Sequence, residues 1–219
     1  EKTNPDGIRI KAFIFDIYGT LLVSASGDIN EVSFSEVNLQ KALIDANYVI
    51  HDDLPEGAFS FILEDFRFTI LEYHKKAKKQ AIPYPEINIK EVWKDVLHRA
   101  AQKLWITIKQ GSCLEKFIIT FELLSNKVCP MPNMKKVIGE LKNYGYPLGI
   151  ISNAQFYTPL IMNHYLHNEN MEEAVPPFDP DLTVFSYKLN KSKPDDYLFR
   201  KIIPVLKKKY NLMPSEVVY

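Results

Sequence analysis

The sequence is poor in several features that would point to a particular class of protein. Its 219 residues include only two cysteines, Cys113 and Cys129, which form no CxxC pair and are expected to be ordinary thiols in a reducing compartment. No apolar run is long enough to cross a bilayer. The formal net charge is zero, which gives no electrostatic footprint for nucleic acid or a membrane surface. We therefore expect a soluble, cytoplasmic protein without a nucleic-acid or membrane partner.

The histidines and the chain ends add further limits. The histidines are His51, His74, His98, His164 and His167. They do not have the spacing of metal ligands on a common helix face, which argues against a zinc site. The sequence does not begin with Met, so we expect it to be trimmed at that end. Its length is sufficient for one large domain or for a core domain with a smaller inserted one. Nothing in the sequence indicates the oligomeric state.

A short stretch near the amino terminus, residues 11–22, is the most informative part of the sequence. The apolar run Ala12–Phe15 is too short for a helix and has the character of a strand buried on both faces. Asp16 follows at once, and Gly19 and Thr20 then break the hydrophobic pattern. Ligands bind at the carboxyl ends of strands in α/β sheets, so Asp16 is a candidate site residue. The same pattern also suits an aspartate that caps a turn.

Residues 23–128 show the apolar period of helices. A polar loop over residues 23–30 comes first, and the pattern then predicts four helices, beginning near Val37, Pro55, Val92 and Leu114. The third of these helices is expected to carry Leu104 and Trp105 on its apolar side. This part of the chain is therefore expected to be all-helical.

The α/β pattern returns after residue 128. The predicted elements are a helix from residue 132, a strand over 148–151, a broken helix over about 156–167, a strand over 182–186, a helix opened by Lys193-Pro194 in its first turn, and a fourth strand from residue 215. We expect an α/β fold with a Rossmann-like parallel sheet core over residues 8–22 and 129–219. An all-helical cap domain over residues 23–128 is expected to be inserted after the first strand.

Polar residues follow three of the predicted strands: Asp16, then Ser152 with Asn153, and a loop later Lys193. A carboxylate nucleophile, a hydroxyl or amide donor and an ammonium group can together attack an electrophile and stabilise the charge that develops on it. Taken singly, Ser152-Asn153 also suits a helix cap, and Lys193 a solvated lysine. Their joint placement at one edge of one sheet favours the catalytic interpretation.

Three motifs resemble motifs I to III of the haloacid dehalogenase (HAD) superfamily: FDIYGTL at 15–21, GIISN at 149–153 and SKPDDYLF at 192–199. The resemblance covers residues 8–22 and 128–219, while the helical insertion resembles the superfamily's C1 cap only in position and helical character. It implies a hydrolase in which Asp16 is the nucleophile and forms a covalent intermediate. Ser152 would hold the anionic oxygens of the substrate, and Lys193 would balance charge around Asp16.

The resemblance also implies binding roles. Tyr18, Ser152 and Asn153 would contact the substrate, and in phosphate-processing members one oxygen of Asp16 and the backbone carbonyl of Tyr18 would face Mg²⁺. Superfamily phosphatases carry a second aspartate, an acid and base, where this sequence has Tyr18. A phenol, whose reference pKa is about 10, is a poor replacement for it.

Because the sequence departs from the family pattern, dehalogenation and phosphate-ester hydrolysis are almost equally well supported. Tyr at position 18 resembles the 2-haloacid dehalogenases, whose halide leaves unprotonated and which need no metal. Those enzymes place an arginine soon after motif I, whereas none occurs here between Tyr18 and Arg67; Arg67 and Arg99 are candidate substitutes. Phosphate-ester hydrolysis with Mg²⁺ therefore stays open.

The fourth motif of the superfamily would follow Tyr219, where the sequence ends, and we expect truncation rather than true loss. The alternative is a catalytically impaired binding or regulatory module of the same fold. Its partner surface would be the aromatic-rich helix over residues 59–73.

Overall fold

The computed structural model describes residues 9–24, 34–166 and 175–219. These residues form two compact units. The sheet unit contains residues 9–23, 83–86, 129–166 and 175–219 of the described chain, and the helical unit contains residues 24, 34–82 and 87–128. Most of the predicted polar loop over 23–30 lies outside the described residues, as do residue 8, where the predicted core begins, and His167 at the end of a predicted helix.

The described chain contains both strands and helices, mostly short ones. The strands are β1 (Ala12–Phe15), β2 (Leu22–Ser24), β3 (Val49–Ile50), β4 (Ile106–Thr107), β5 (Val128–Pro130), β6 (Leu148–Ser152), β7 (Thr183–Phe185) and β8 (Val217–Val218). The α-helices are α1 (Glu36–Asp45), α2 (Ala58–Lys79), α3 (Ile89–Gln102), α4 (Leu114–Ser125), α5 (Met134–Asn143), α6 (Thr158–Leu166) and α7 (Tyr197–Tyr210). None of the described helices combines the length and the apolar character that crossing a membrane requires.

The sheet unit is built on a parallel sheet with the strand order β7-β6-β1-β8. Strand β1 pairs in parallel with β6 and β8, and β6 pairs in parallel with β7. Every residue of β6 is buried, as the apolar run without alternation predicts. The expected α/β fold with a Rossmann-like parallel sheet is confirmed, and the carboxyl ends of β1, β6 and β7 meet at one edge.

Helix α7 covers one face of this sheet. Its Leu198, Ile202 and Leu206 form a buried apolar cluster with residues of β1, β6 and the turn before β7. The strands approach closely at Gly149, where a Cβ atom would lie 2.4 Å from the carbonyl oxygen of Leu182 and 2.7 Å from the Cδ1 of Ile14. Only glycine leaves room for this packing.

The beginning of α7 differs from the prediction. The helix starts at Tyr197, so Pro194 does not occupy its first turn, and the Lys193–Pro194 peptide bond is cis. The backbone instead turns before the helix, because the Asp195 amide donates to the Ser192 carbonyl (3.1 Å) and the Asp195 carboxylate accepts from the Tyr197 amide (2.8 Å). Lys193 therefore lies in a loop between β7 and α7.

The helical unit consists mainly of α1 to α4, with α1 packed on α4 and α2 on α3. Its centre is aromatic: the ring of Trp93 stacks on Phe66 at 4.0 Å and meets Phe117 and Phe121 edge-on at 4.9 and 5.1 Å. Such pairs add to the free energy gained from apolar burial. The helical stripes identified in the sequence therefore indicated the core of this unit.

Two local features of the helical unit were not predicted. Strands β3 and β4 form a short antiparallel sheet, in which Val49 lies opposite Thr107. Helix α3 ends at Gln102, and Leu104 follows with a φ of 59° and 73% exposure, so the expectation that Leu104 belongs to the apolar helix face is wrong. The chain turns there to enter β4, and the Trp105 carbonyl accepts from the His51 amide (3.1 Å).

Candidate active site

Asp16 stands directly after β1, at the start of a tight turn in the sheet unit. The Ile17 carbonyl accepts hydrogen bonds from the amides of Thr20, Leu21 and Leu22 (3.2, 2.8 and 2.9 Å), and Gly19 takes a φ of 84° that favours glycine. The Oδ1 atom of Asp16 accepts from the Ile17 amide at 2.8 Å. One carboxylate oxygen is thus fixed by the turn itself, and the other faces outward from it.

The second oxygen of Asp16 is paired with Lys193. The distance between Asp16 Oδ2 and Lys193 Nζ is 2.6 Å, with side-chain exposures of 29% and 18%. A charge-assisted contact of this length in a partly buried place is stronger than an exposed ion pair. The structure therefore brings together the two residues that the sequence analysis assigned to strands β1 and β7, which are separated by 177 positions in the chain.

The ammonium group of Lys193 has two further oxygen neighbours. It donates to the Tyr219 hydroxyl at 2.7 Å and lies 3.4 Å from the carbonyl oxygen of Ile151 at the end of β6. The Tyr219 hydroxyl itself donates to that carbonyl at 3.3 Å. The sequence analysis did not name Tyr219 as a site residue, although its position at the carboxyl end of the fourth predicted strand was a usable signal.

Asn153 contacts the backbone of Lys193 on both sides. Its Oδ1 accepts from the Lys193 amide at 2.7 Å, and its Nδ2 donates to the Lys193 carbonyl at 3.3 Å. Ser152, the last residue of β6, is fully buried, and its hydroxyl donates to the Asn153 carbonyl at 3.2 Å. The loop after β6 therefore holds the loop that carries Lys193, while the predicted contacts of Ser152 and Asn153 with a substrate stay predictions.

Tyr18 lies two residues beyond Asp16, and its hydroxyl is 3.1 Å from the hydroxyl of Thr158. Thr158 is the first residue of α6, is fully buried and accepts from the Gln155 amide at 3.2 Å. The sequence analysis missed Thr158, because a threonine at a helix start carries no signal of a long-range partner. The Tyr18 hydroxyl is thus bonded to the start of α6.

The resemblance assigns only two oxygen ligands of this chain to Mg²⁺. They are one carboxylate, that of Asp16, and the backbone carbonyl of Tyr18, and Asp16 already contacts an ammonium group at 2.6 Å. Among the residues that the structure describes, no group of three or more His, Cys, Asp or Glu side chains could hold a metal ion. These residues do not form a magnesium site by themselves.

The two arginines considered as substitutes are engaged within the helical unit. Arg99 donates to both oxygens of Asp65 at 2.9 and 3.1 Å and to the Thr69 hydroxyl at 2.5 Å. The guanidinium of Arg67 lies 5.8 Å from the centre of the Phe34 ring. Each of these side chains therefore has a partner within the helical unit. Arginines on helix faces commonly pack in this way while their charged ends stay near water.

A parallel α/β sheet with a charged pair at the carboxyl ends of its strands defines a class of ligand-binding and catalytic proteins. Within that class, the model of the haloacid dehalogenase-like hydrolase family matches residues 10–219, and the chain belongs to this family. The hydrolase family that the three motifs indicated is thereby confirmed.

Several solved structures are similar to this chain at low identity. The L-2-haloacid dehalogenase from Xanthobacter autotrophicus is 17% identical over 95% of this chain and 68% of its own, with a TM-score of 0.41. Another L-2-haloacid dehalogenase is 16% identical over 95% of this chain and 74% of its own, with a TM-score of 0.47. A predicted phosphoglycolate phosphatase from Haemophilus somnus 129pt is 18% identical over 95% and 75%, with a TM-score of 0.39. No curated protein sequence matches the chain.

Proposed function

We propose that the protein hydrolyses a small soluble substrate and that Asp16 is the nucleophile. The observation that carries the proposal is the contact of 2.6 Å between Asp16 Oδ2 and Lys193 Nζ at the carboxyl edge of the sheet. A cleft of about 370 Å³ lies beside Asp16 and is lined by Asp16, Thr20 and Tyr219 among others. A cleft of this size accommodates a small molecule.

The proposed reaction has two steps. An oxygen of Asp16 attacks the electrophilic atom of the substrate, the bond to the leaving group breaks, and an ester with Asp16 forms. Water then attacks this ester, which releases the product, restores the carboxylate and passes a proton to solvent. Lys193 stabilises negative charge in both steps, because its ammonium group is held beside Asp16 by Tyr219 and the Ile151 carbonyl.

The surroundings of Tyr18 favour a leaving group that departs without a proton. Its hydroxyl is bonded to Thr158 at 3.1 Å, and a phenol is a weak acid at neutral pH. Halide needs no protonation, so a 2-haloacid is the first substrate class that we propose. Asn153 acts as a positioning residue for Lys193, and Ser152 and Tyr18 stay the proposed substrate contacts.

Phosphate-ester hydrolysis is the second candidate. The same pair of Asp16 and Lys193 suits attack on phosphorus. If Mg²⁺ entered together with the phosphate, Asp16 and the Tyr18 carbonyl would be the protein groups that hold it, and the ion would neutralise charge on the phosphate. A cytoplasmic location is part of the proposal for either reaction, since both cysteines are unpaired and exposed.

Turnover measurements separate these possibilities. The protein is assayed with chloroacetate and 2-chloropropionate without added metal, and with a panel of phosphomonoesters in the presence of Mg²⁺. Halide release favours the first class, and phosphate release favours the second. The variant Asp16→Asn is expected to lower kcat by at least about 1,000-fold on the active class, whereas Asp181→Asn, an exposed carboxylate of the same unit, leaves it unchanged.

Two results would contradict the proposal. Turnover by Asp16→Asn at the wild-type rate would exclude Asp16 as the nucleophile. A folded wild-type protein that releases neither halide nor phosphate, yet binds one of these compounds, would favour the binding or regulatory module instead.

A further inference from the structure

Residues 84–86 form an extended segment, here called the bridging segment, that belongs to the sheet unit although α2 and α3 of the helical unit flank it in sequence. It runs antiparallel to residues 190–192, with Pro85 opposite Lys191. The Ser192 amide donates to the Tyr84 carbonyl at 2.8 Å, and the Glu86 amide donates to the Asn190 carbonyl at 3.3 Å. The segment is thus paired with the residues that directly precede Lys193.

The carboxylate of Glu86 joins the ends of two strands. One oxygen accepts from the Gln155 side-chain amide at 2.9 Å, and the other accepts from the Ser186 hydroxyl at 2.5 Å. Gln155 lies three residues beyond β6, and Ser186 directly follows β7. Gln155 is 7% exposed and Ser186 is fully buried, so these charge-assisted hydrogen bonds have little competition from water.

Lys193 is consequently held through its backbone from two directions. Ser192, its predecessor, is bonded to the bridging segment, and Asn153 holds the amide and carbonyl of Lys193 itself. Asn153 belongs to the same loop as Gln155, which Glu86 ties to the end of β7. A single carboxylate therefore fixes both loops that place the ammonium group on Asp16.

We propose that Glu86 is a positioning residue for Lys193: by bridging Gln155 and Ser186, it fixes the two loops so that the ammonium group of Lys193 lies against Asp16. The inference deepens the proposed function and rests on it for the kinetic part of its test. A displacement of about 1 Å in a catalytic group can lower the rate by about 100-fold. The hydrogen bonds of Glu86 to Gln155 and Ser186 act on the two loops, so its effect on Lys193 is transmitted through them.

The role requires hydrogen-bonding geometry rather than charge. In Glu86→Gln, the side-chain oxygen can still accept from Gln155, and the new amide can donate to Ser186, whose own hydrogen can turn to the Ala154 carbonyl 3.2 Å away. In Glu86→Ala both bonds are lost. The conservative variant is therefore expected to restore what the alanine variant loses.

The first test does not depend on activity. The protein is pulsed with an amine-acetylating reagent, and the labelling of Lys193 is measured by peptide mass spectrometry. In the wild type the contacts of Lys193 with Asp16 and Tyr219 protect it, so Glu86→Ala is expected to raise its labelling several-fold. Glu86→Gln and Glu140→Ala, which removes an exposed carboxylate of α5, are expected to keep the wild-type level.

The second test is kinetic. Glu86→Ala is expected to lower kcat by about 100-fold with little change in KM, and Glu86→Gln to recover most of this loss. Should Glu86→Ala fail to fold, Gln155→Ala breaks half of the bridge and is expected to raise Lys193 labelling in the same direction. Folding of each variant is checked by circular dichroism before labelling.

The outcomes distinguish this inference from the proposed function. Raised labelling in Glu86→Ala supports the positioning role even if the wild type turns over none of the substrates, a result that would contradict the proposed function alone. Unchanged labelling in folded Glu86→Ala and Gln155→Ala would overturn the positioning role while leaving Asp16 untouched. Equal losses in Glu86→Gln and Glu86→Ala would also overturn it, because charge rather than geometry would then matter.

Discussion

The helical unit and the sheet unit differ in how far their central side chains are buried. In the helical unit, Trp93 and Phe117 are at most 1% exposed and contact other aromatic rings. At the edge of the sheet unit, Asp16 and Lys193 keep 29% and 18% of their side chains exposed. Apolar burial stabilises the first region, whereas the second region keeps charged groups accessible to solvent.

The ion pair of the helical unit and that of the sheet unit also differ in their surroundings. Arg99 and Asp65 in the helical unit form a bidentate pair, and Thr69 completes it. Asp16 and Lys193 meet through one oxygen, and Asp16 also lines a cleft. An ion pair alone does not mark a functional site; the surroundings of the charges decide whether they brace helices or face a substrate.

Removal of the central aromatic ring should test the helical unit most strongly. Trp93→Ala is expected to lower the free energy of unfolding by about 3–5 kcal/mol, because a large cavity opens among Phe66, Phe117 and Phe121. Denaturant unfolding followed by circular dichroism measures this change. Phe68→Ala, at a position 60% exposed, should change it by about 0.5 kcal/mol or less. Similar values for both variants would show that the stacked rings are not the core.

Loss of the ammonium group should affect chemistry more than stability. Lys193→Gln is expected to lower kcat by about 100- to 1,000-fold, because one preorganised stabiliser of negative charge is removed. Its unfolding free energy should change by only about 1 kcal/mol. The matched variant Lys201→Gln removes a charge from α7 and should keep the wild-type rate. A rate for Lys193→Gln equal to that of Lys201→Gln would contradict a catalytic role for Lys193.

A pair of glycine substitutions tests the packing of the sheet. Gly149→Ala is expected to cost about 1–3 kcal/mol of unfolding free energy, since its Cβ would lie 2.4 Å from the Leu182 carbonyl oxygen. Gly139→Ala, in α5 with no atom within 4 Å of the added carbon, should stabilise the protein by about 0.5–1 kcal/mol. Thermal unfolding of the two variants should therefore shift in opposite directions, and equal shifts would refute the close approach of β6 to its neighbours.

The smallest expected effect is a loss of stability at high pH. Burial, with smaller contributions from Cys113 and Glu115, raises the pKa of Tyr48 in the helical unit from 10.0 to about 12. The unfolded chain therefore releases this proton first, so Tyr48 contributes stability below pH 10 that is lost as the pH rises towards 12. Tyr48→Phe keeps the ring and should reduce this loss, measured by urea unfolding between about pH 9 and 11. An unchanged pH dependence would contradict the assigned burial.

The sequence predicted those features that depend on neighbouring residues. The apolar run before Asp16 and the one before Ser152 indicated two buried strands, and parallel strands place their carboxyl ends at one edge. Asp16 and Lys193 could therefore be predicted to meet. The direction of the Tyr18 hydroxyl could not, because its partner Thr158 lies 140 positions away and depends on where α6 begins.

Two other features also departed from what the local sequence pattern indicated. The pairing of residues 84–86 with residues 190–192 joins segments about a hundred positions apart, and neither segment has a strand pattern of its own. Pro194 suited a helix start in sequence, yet the side chain of Asp195 sets the start at Tyr197. The first feature depends on hydrogen bonds between distant segments, and the second on a local side-chain hydrogen bond that competes with a helix start at Pro194.

A covalent intermediate on Asp16, as proposed above, can be trapped by a rapid acid quench. The protein is mixed with the active substrate, quenched within milliseconds and digested, and the peptide containing Asp16 is analysed by mass spectrometry. During turnover this peptide is expected to gain the mass of the substrate group, with the adduct on the Asp16 carboxylate. Sustained turnover with an adduct on another residue would contradict this role of Asp16.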